Sequence, residues 1–261
     1  MRSVCWALGE HTTPDRFYLQ MTIDNRYYDA LGNVWWDPCG PMALLMRMNR
    51  YRYQYFRRVL DHPNKMKLFD IGCGGGFLAE AFAADGAEVY GLDLSPNAVR
   101  TARDHATQQG LHLRVVSGRA ECVPFASGVF DAVLLADVLE HLDDFPQALT
   151  ESSRVLKPGG ILLYETVNRT LFSRISTVWA LERVLRKIPR HSHDWKMFIR
   201  PAELVEALEA CGLRNQELQG LALKDGVPGF LLRFVRGRDP WVFEISSDTR
   251  VSYLGYATKS A

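Results

Sequence analysis

Asp137, Glu140 and His141 follow the apolar run "FDAVLLA" (residues 130–136) at a spacing that could do chemistry. In a helical turn, side chains at i, i+3 and i+4 share one face. Two carboxylates and an imidazole on that face suit a divalent cation such as Mg²⁺. His141 suits a general base as well, because its ordinary pKa lies near neutrality. The competing reading is a plain helix start, in which the next acids, Asp143 and Asp144, are charges favoured by the helix dipole. The choice turns on what the end of that strand faces.

A second constellation bears on this. "FDIGCGGGFLAE" places Gly72, Gly74, Gly75 and Gly76 between a strand-like run and a helical one. Such a loop lets a ligand reach the backbone and aims helix N–H groups at it. A dinucleotide fingerprint would need a third glycine at position 77, where Phe77 stands. Asp70, two residues before Gly72, suits a ligand with an ammonium group and would repel a pyrophosphate. Asp93 ends the next apolar run, where an acid can take both ribose hydroxyls. A nucleoside joined to an amino acid meets both demands, which points to S-adenosylmethionine.

The elements that must position these residues are legible in residues 67–168. Apolar runs "KLFDIG", "AEVYGLD", "LHLRVVSG", "FDAVLLA" and "ILLYETV" alternate with helical patterns. Ser95 as N-cap, Pro96 in the first turn and Gly110 past the end bound one helix. "DFPQALTESSRVLKPGG" reads as a helix stopped by Pro158-Gly159-Gly160. Near-continuous apolar strands separated by helices imply βαβ crossovers and a parallel sheet covered on both faces. "PAELVEALEACG" resumes the helical pattern, "RNQELQG" reads as a strand and "RVSYLGYATK" as a last one. Residues 1–60 read as a mainly helical cap rich in Trp and Tyr, and residues 61–261 as one domain with a lid insertion over about 169–199.

Composition narrows the class. A net charge of +1 over 261 residues gives no reason to expect nucleic-acid binding. Five cysteines without regular spacing form neither a disulfide framework nor a CxxC pattern, so reduced thiols and a cytoplasmic protein are expected. The chain offers no signal-peptide h-region and no run of about 18 apolar residues.

On these motifs the core from Lys67 to about Val167 resembles a class I S-adenosylmethionine-dependent methyltransferase. That resemblance implies a Rossmann-like α/β fold with a mostly parallel seven-stranded sheet. It also implies a methionine end held by Asp70, Gly72, Gly74 and Gly76, a ribose held by Asp93 beside Leu94, and an adenine lined by Ala120 and Glu121. Asp137 is expected to face the same ligand.

A narrower likeness covers most of the chain. "YYDALGNVWWDPCGPMALLMRMNRYRYQY" is similar to the amino-terminal region of ubiquinone-biosynthesis O-methyltransferases, through Trp35, Trp36, Asp37, Gly40, Asn49 and Arg52. "ETVNRT", "HDWKMFIRPAEL" and "VSYLGYATK" resemble later segments of that family, whereas residues 221–249 and the first 20 do not match it convincingly. The resemblance implies methyl transfer to a phenolic hydroxyl of a polyprenyl catechol. It also implies a divalent metal on an ExxEH segment, here DxxEH: Asp137, Glu140 and His141. The motive is physical, since a phenol of pKa about 10 is about 0.1% ionised at pH 7 and its anion costs about 4 kcal/mol to deliver.

His193 and Asp194 in "HSHDW", with Asn168 and Arg169, are further candidates for the same pocket, His193 for catalysis. The segment from Arg174 to Arg190 has an apolar stripe and a basic face, which suits either a lid with peripheral membrane contact or a lid alone whose arginines are simply solvated. Two alternatives stand beside the catechol reading: a natural-product methyltransferase acting on O or N of a small aromatic, and a non-catalytic S-adenosylmethionine-binding module.

Overall fold

The computed structural model describes residues 26–177 and 194–260. The first 25 residues, His193 and most of the amphipathic segment from Arg174 to Arg190 lie outside those described. A short helix α1 (Arg26–Ala30) and a 3₁₀ turn (Gly32–Trp36) lead into the long helix α2 (Ala43–Leu60). Then follow β1 (Lys67–Ile71), α3 (Phe77–Ala84), β2 (Glu88–Asp93), α4 (Pro96–Gln108), β3 (Arg114–Ser117) and β4 (Phe130–Ala136). A 3₁₀ turn (Leu139–His141), α5 (Phe145–Val155) and β5 (Leu156–Val167) complete the first half. The second half holds α6 (Pro201–Ala210), β6 (Leu213–Leu223), α7 (Gly226–Val235), β7 (Phe243–Ser246) and β8 (Ser252–Lys259).

The strands form one sheet in the order β3-β2-β1-β4-β5-β8-β6-β7. Strands β1 to β5 pair in parallel, whereas β8 enters antiparallel between β5 and β6. The sheet has eight strands, not the expected seven. The additional one is β7, which pairs antiparallel with the outer edge of β6. It comes from the segment 221–249 that showed no convincing family likeness. Pro158-Gly159-Gly160 lies within β5 and does not end α5, which stops at Val155.

Both faces of the sheet are covered, as the unbroken apolar strands require. Leu68 and Leu134 point to one face and pack with Phe56 and Phe82. Phe69, Val133 and Leu135 point to the other and pack with Leu149 and Leu204. The capping expected at Ser95 is present: its hydroxyl accepts from the Ala98 N–H at 3.0 Å and donates to Asp29 at 2.7 Å, which ties α1 to α4. Asp144 accepts from the Gln147 N–H at 3.0 Å and caps α5. Cys39, Cys73 and Cys211 carry free thiols.

The fully buried Tyr164 reaches from β5 past Gly255 of β8 to β6, where its hydroxyl donates to Asn215 Oδ1 at 2.5 Å. Tyr164→Phe removes this tie and is expected to cost about 1 kcal/mol, or roughly 2–4 °C in Tm for a domain of this size. A thermal melt indistinguishable from wild type would show that the cross-sheet bond contributes nothing.

Candidate active site

In the sheet order the chain runs outward from β1 to β3 and then jumps to β4, so the carboxyl ends of β1 and β4 flank a crevice. A cavity of about 740 Å³ occupies it. Asp70, Gly72, Gly74, Asp93, Leu94, Ala120, Glu121, Asp137 and His141 all line this one space. Of the predicted site residues, Gly76 and Glu140 do not line it. Gly76 caps α3 and packs against Ala102 of α4.

The glycine loop is shaped by two close approaches. Gly72 has φ +75°, and a Cβ there would sit 2.5 Å from Val138 Cγ2; Gly74 has φ +51°, and its Cβ would sit 2.7 Å from the Trp35 ring. Only glycine accepts both the left-handed backbone and the contact. Trp35 is buried over this loop, and the Trp36 indole N–H donates to the Gly75 carbonyl at 2.9 Å while its ring stacks on His105 at 3.7 Å. The amino-terminal segment thereby closes one wall of the cavity.

Asp93 fastens the loop to the end of β2. Its Oδ2 accepts from the Gly74 N–H and its Oδ1 from the Ser95 N–H, both at 2.9 Å. A carboxylate has about four acceptor positions, so two remain for the hydroxyl pair of a ribose. Asp70 is almost fully buried, and burial, with the nearby Asp93 charge, pushes its carboxyl up to about 7. An ammonium group in the cavity would supply the missing counter-charge. The cradle, its buried acid and the strand-end carboxylate therefore fit the methionine and ribose ends of S-adenosylmethionine.

Asp137, Glu140 and His141 do not share a face. Asp137 has a left-handed backbone (φ 59°), so it stands outside the helical turn, and only Leu139–His141 wind into a 3₁₀ turn. Glu140 points into the protein, fully buried, and accepts from the Thr166 hydroxyl at 2.7 Å. His141 turns toward the cavity and meets the Tyr28 ring edge-on at 5.9 Å. Among the described residues no group of three His, Cys, Asp or Glu side chains is arranged to hold a metal ion. The donor set expected for Mg²⁺ is not assembled there.

A cation does stand among these acids. Arg52 of α2, 1% exposed, places Nη2 at 3.1 Å from Asp137 Oδ2 and 2.8 Å from Glu165 Oε2. Its Nη1 donates to Asn49 Oδ1 at 3.3 Å. Burial pushes Glu165 up to about 7 against the opposing pull of Arg52, and burial holds Glu140 well above the usual carboxylate range, with Asp137 and Glu165 adding to it. Arg52, Asn49 and Glu165 line the cavity but were not expected there as site residues. A signal existed for two of them: Arg52 falls in register with the buried stripe Tyr55, Phe56 and Leu60, and Glu165 interrupts an apolar strand.

Asn168 and Arg169 serve the scaffold. The Asn168 side chain donates to the Thr249 carbonyl at 2.8 Å, and Arg169 pairs with Glu203. Asp194 accepts from the Lys196 N–H at 2.9 Å as a cap.

Residues 69–164 match a methyltransferase domain. A ubiquinone biosynthesis O-methyltransferase of Azorhizobium caulinodans is 36% identical over 238 residues, which cover 87% of this chain and 89% of that protein. One of Methylobacterium nodulans is 39% identical over 238 residues, covering 87% and 90%. The chain belongs to the ubiquinone biosynthesis O-methyltransferase family. The crystal structure of a SAM-dependent methyltransferase from Thermotoga maritima superposes with a TM-score of 0.62 at 18% identity, covering 90% of this chain and 99% of that one, a likeness of fold. The chain is accordingly an S-adenosylmethionine-dependent methyltransferase, and the crevice beyond β1 and β4 is where its geometry fits that cofactor.

Asp70 gives this enzyme a testable pH dependence. Its carboxyl lies at about 7 when folded, against about 3.9 when unfolded, so the cofactor-free protein loses stability as pH rises through that window. A cationic ligand favours the ionised form. Affinity for S-adenosylhomocysteine, measured by titration calorimetry, should therefore rise between about pH 5.5 and about pH 7.5, and Asp70→Asn should flatten that rise. An undiminished pH profile in Asp70→Asn would remove Asp70 from this role.

Proposed function

We propose that the enzyme transfers a methyl group to a phenolic hydroxyl of a polyprenyl catechol, a ubiquinone precursor. The observation that carries this reading is the make-up of the cavity lining. Asp137 and His141 share it with the apolar side chains of Leu44, Met48, Leu221, Phe230, Leu231 and Trp241. An aromatic head with a hydrocarbon tail matches such a mixed lining. Full-length relatives named for ubiquinone biosynthesis support the same acceptor.

When bound, S-adenosylmethionine supplies a methyl group on a positively charged sulfur. Asp70 and Asp93, with the loop at Gly72 and Gly74, hold the two ends of that molecule, Leu94 stands beside the ribose, and Ala120 and Glu121 flank the adenine. Trp35 covers the loop and keeps water from the reacting centre. The acceptor hydroxyl gives up a proton as its oxygen takes the methyl. The Asp137 carboxylate is already engaged by Arg52, at 3.1 Å. His141 takes the proton, since it lines the same cavity and an imidazole can serve as general base.

The acceptor's tail suggests delivery from a lipid surface. Among the described residues no helix is long and apolar enough to cross a membrane. Leu171, Ile175, Phe234 and Val235 are nonetheless exposed, Val235 by 82%, close in sequence to the cavity-lining Phe172 and Leu231. Peripheral contact there supports access for a membrane-borne acceptor.

The test is transfer of labelled methyl to a catechol carrying a prenyl tail, compared with the same catechol without one. The enzyme should methylate the tailed compound at a kcat/KM at least tenfold higher, as roughly 1.4 kcal/mol of tail burial would give. Equal rates would favour a small natural-product phenol, and no transfer to either, with cofactor binding intact, would refute the catechol assignment. His141→Ala should lower kcat by about 10²–10⁴ without weakening S-adenosylhomocysteine binding.

A further inference from the structure

Three acids gather where β4 and β5 end: Asp137 and the fully buried Glu165 line the cavity, and Glu140 is fully buried and does not line it. Carboxylates removed from water need a counter-charge, and a divalent cation is one way to supply it. This chain supplies another. Helix α2 carries Arg52 across the sheet end, and one nitrogen, Nη2, addresses both Asp137 Oδ2 and Glu165 Oε2. Glu140 is diverted to the Thr166 hydroxyl and takes no share in a ligand set. The position between the two acids is thus filled.

We propose that Arg52 is the resident cation of this active site, a positioning residue that stands where a divalent metal would otherwise sit between Asp137 and Glu165. A guanidinium is charged at every pH the enzyme meets and cannot be removed by a chelator. Its planar fork also fixes direction: Arg52 holds Asp137 in its left-handed backbone and leaves His141, one turn on, facing the cavity. The amino-terminal segment is therefore part of the active site, because helix α2 brings the guanidinium that pairs with Asp137 and Glu165. This role rests on the methyl-transfer reading only for its kinetic readout. Its metal-binding readout is independent of the acceptor.

The experiment measures Mn²⁺ binding to the full chain by electron paramagnetic resonance, alongside labelled methyl transfer. Wild type should show no Mn²⁺ site that Asp137→Asn abolishes, and its transfer should survive excess chelator. Arg52→Met should lower kcat by about 100-fold, the cost of a misplaced reacting geometry. It should also gain a Mn²⁺ site at least about tenfold tighter than any in wild type, in the range of loose oxygen-ligand sites. Added Mn²⁺ should restore part of its turnover, and Arg52→Met/Asp137→Asn should lose both the site and the rescue. Should Arg52→Met fail to fold, Arg52→Lys keeps a cation in place and should retain more than a tenth of wild-type turnover with no gain in Mn²⁺ affinity. A wild-type Mn²⁺ site that Asp137→Asn abolishes would overturn the proposal. So would chelator-sensitive wild-type transfer, or an Arg52→Met protein that binds no Mn²⁺.

Discussion

A guanidinium buried among three carboxyl groups is the constraint around which this active site is arranged. Taking an ion out of water costs several kcal/mol even after the protein relaxes, and only a well-placed partner repays it. Arg52 has two such partners within 3.1 Å, Asp137 and Glu165. Burial by itself would lower the affinity of Arg52 for its proton, yet those two acids hold it above its usual value. Burial raises the carboxyls of Glu140 and Glu165, and the Arg52 charge pulls Glu165 back down. Keeping Arg52 beside Glu165 constrains the chain around it. Helix α2 must dock with Tyr55, Phe56 and Leu60 inward, and the segment before it is drawn over the glycine loop, where Trp35 seals the cavity.

The cofactor half of the site rests on a different economy of groups. One carboxylate, Asp93, ties the loop to β2 through two backbone N–H groups and keeps free lone pairs for a ligand. One neighbouring acid, Asp70, is left with no cation among its strong influences, so it waits for one from the ligand. Methyl donor and acceptor thus meet between Asp70, which has no cation among its strong influences, and a wall where Arg52 stands beside Asp137 and Glu165. The donor's ammonium group brings the charge that Asp70 lacks.

The parallel core was legible because its strands are apolar on both faces and its turns carry strong signals, Ser95 and Pro96 before α4 and the glycines after β1. The loop and both strand-end acids were legible for the same local reason. What local pattern could not give was direction. Asp137, Glu140 and His141 have helical spacing, but the left-handed backbone at Asp137 breaks the face that spacing implies. Nor could it give partners distant in sequence. Arg52 and Glu165 are more than a hundred residues apart, and their pairing exists only because α2 crosses the end of β5's sheet. Residues 221–249 hid β7 and α7, since a four-residue edge strand and a glycine-led helix leave faint periodicity. His193 and the basic face of the insertion lie outside the described residues.

The central claim is that Arg52 and Glu165 are retained as a balanced pair, so that removing one strands the other. A double-mutant cycle followed by urea unfolding tests this most directly. Arg52→Met alone should destabilise by about 3–5 kcal/mol, because it leaves buried acids uncompensated, while Arg52→Met with Glu165→Leu should recover at least about 1 kcal/mol of that loss. Strictly additive losses would contradict the account, for they would mean that the guanidinium and the Glu165 carboxyl lie close together without depending on each other.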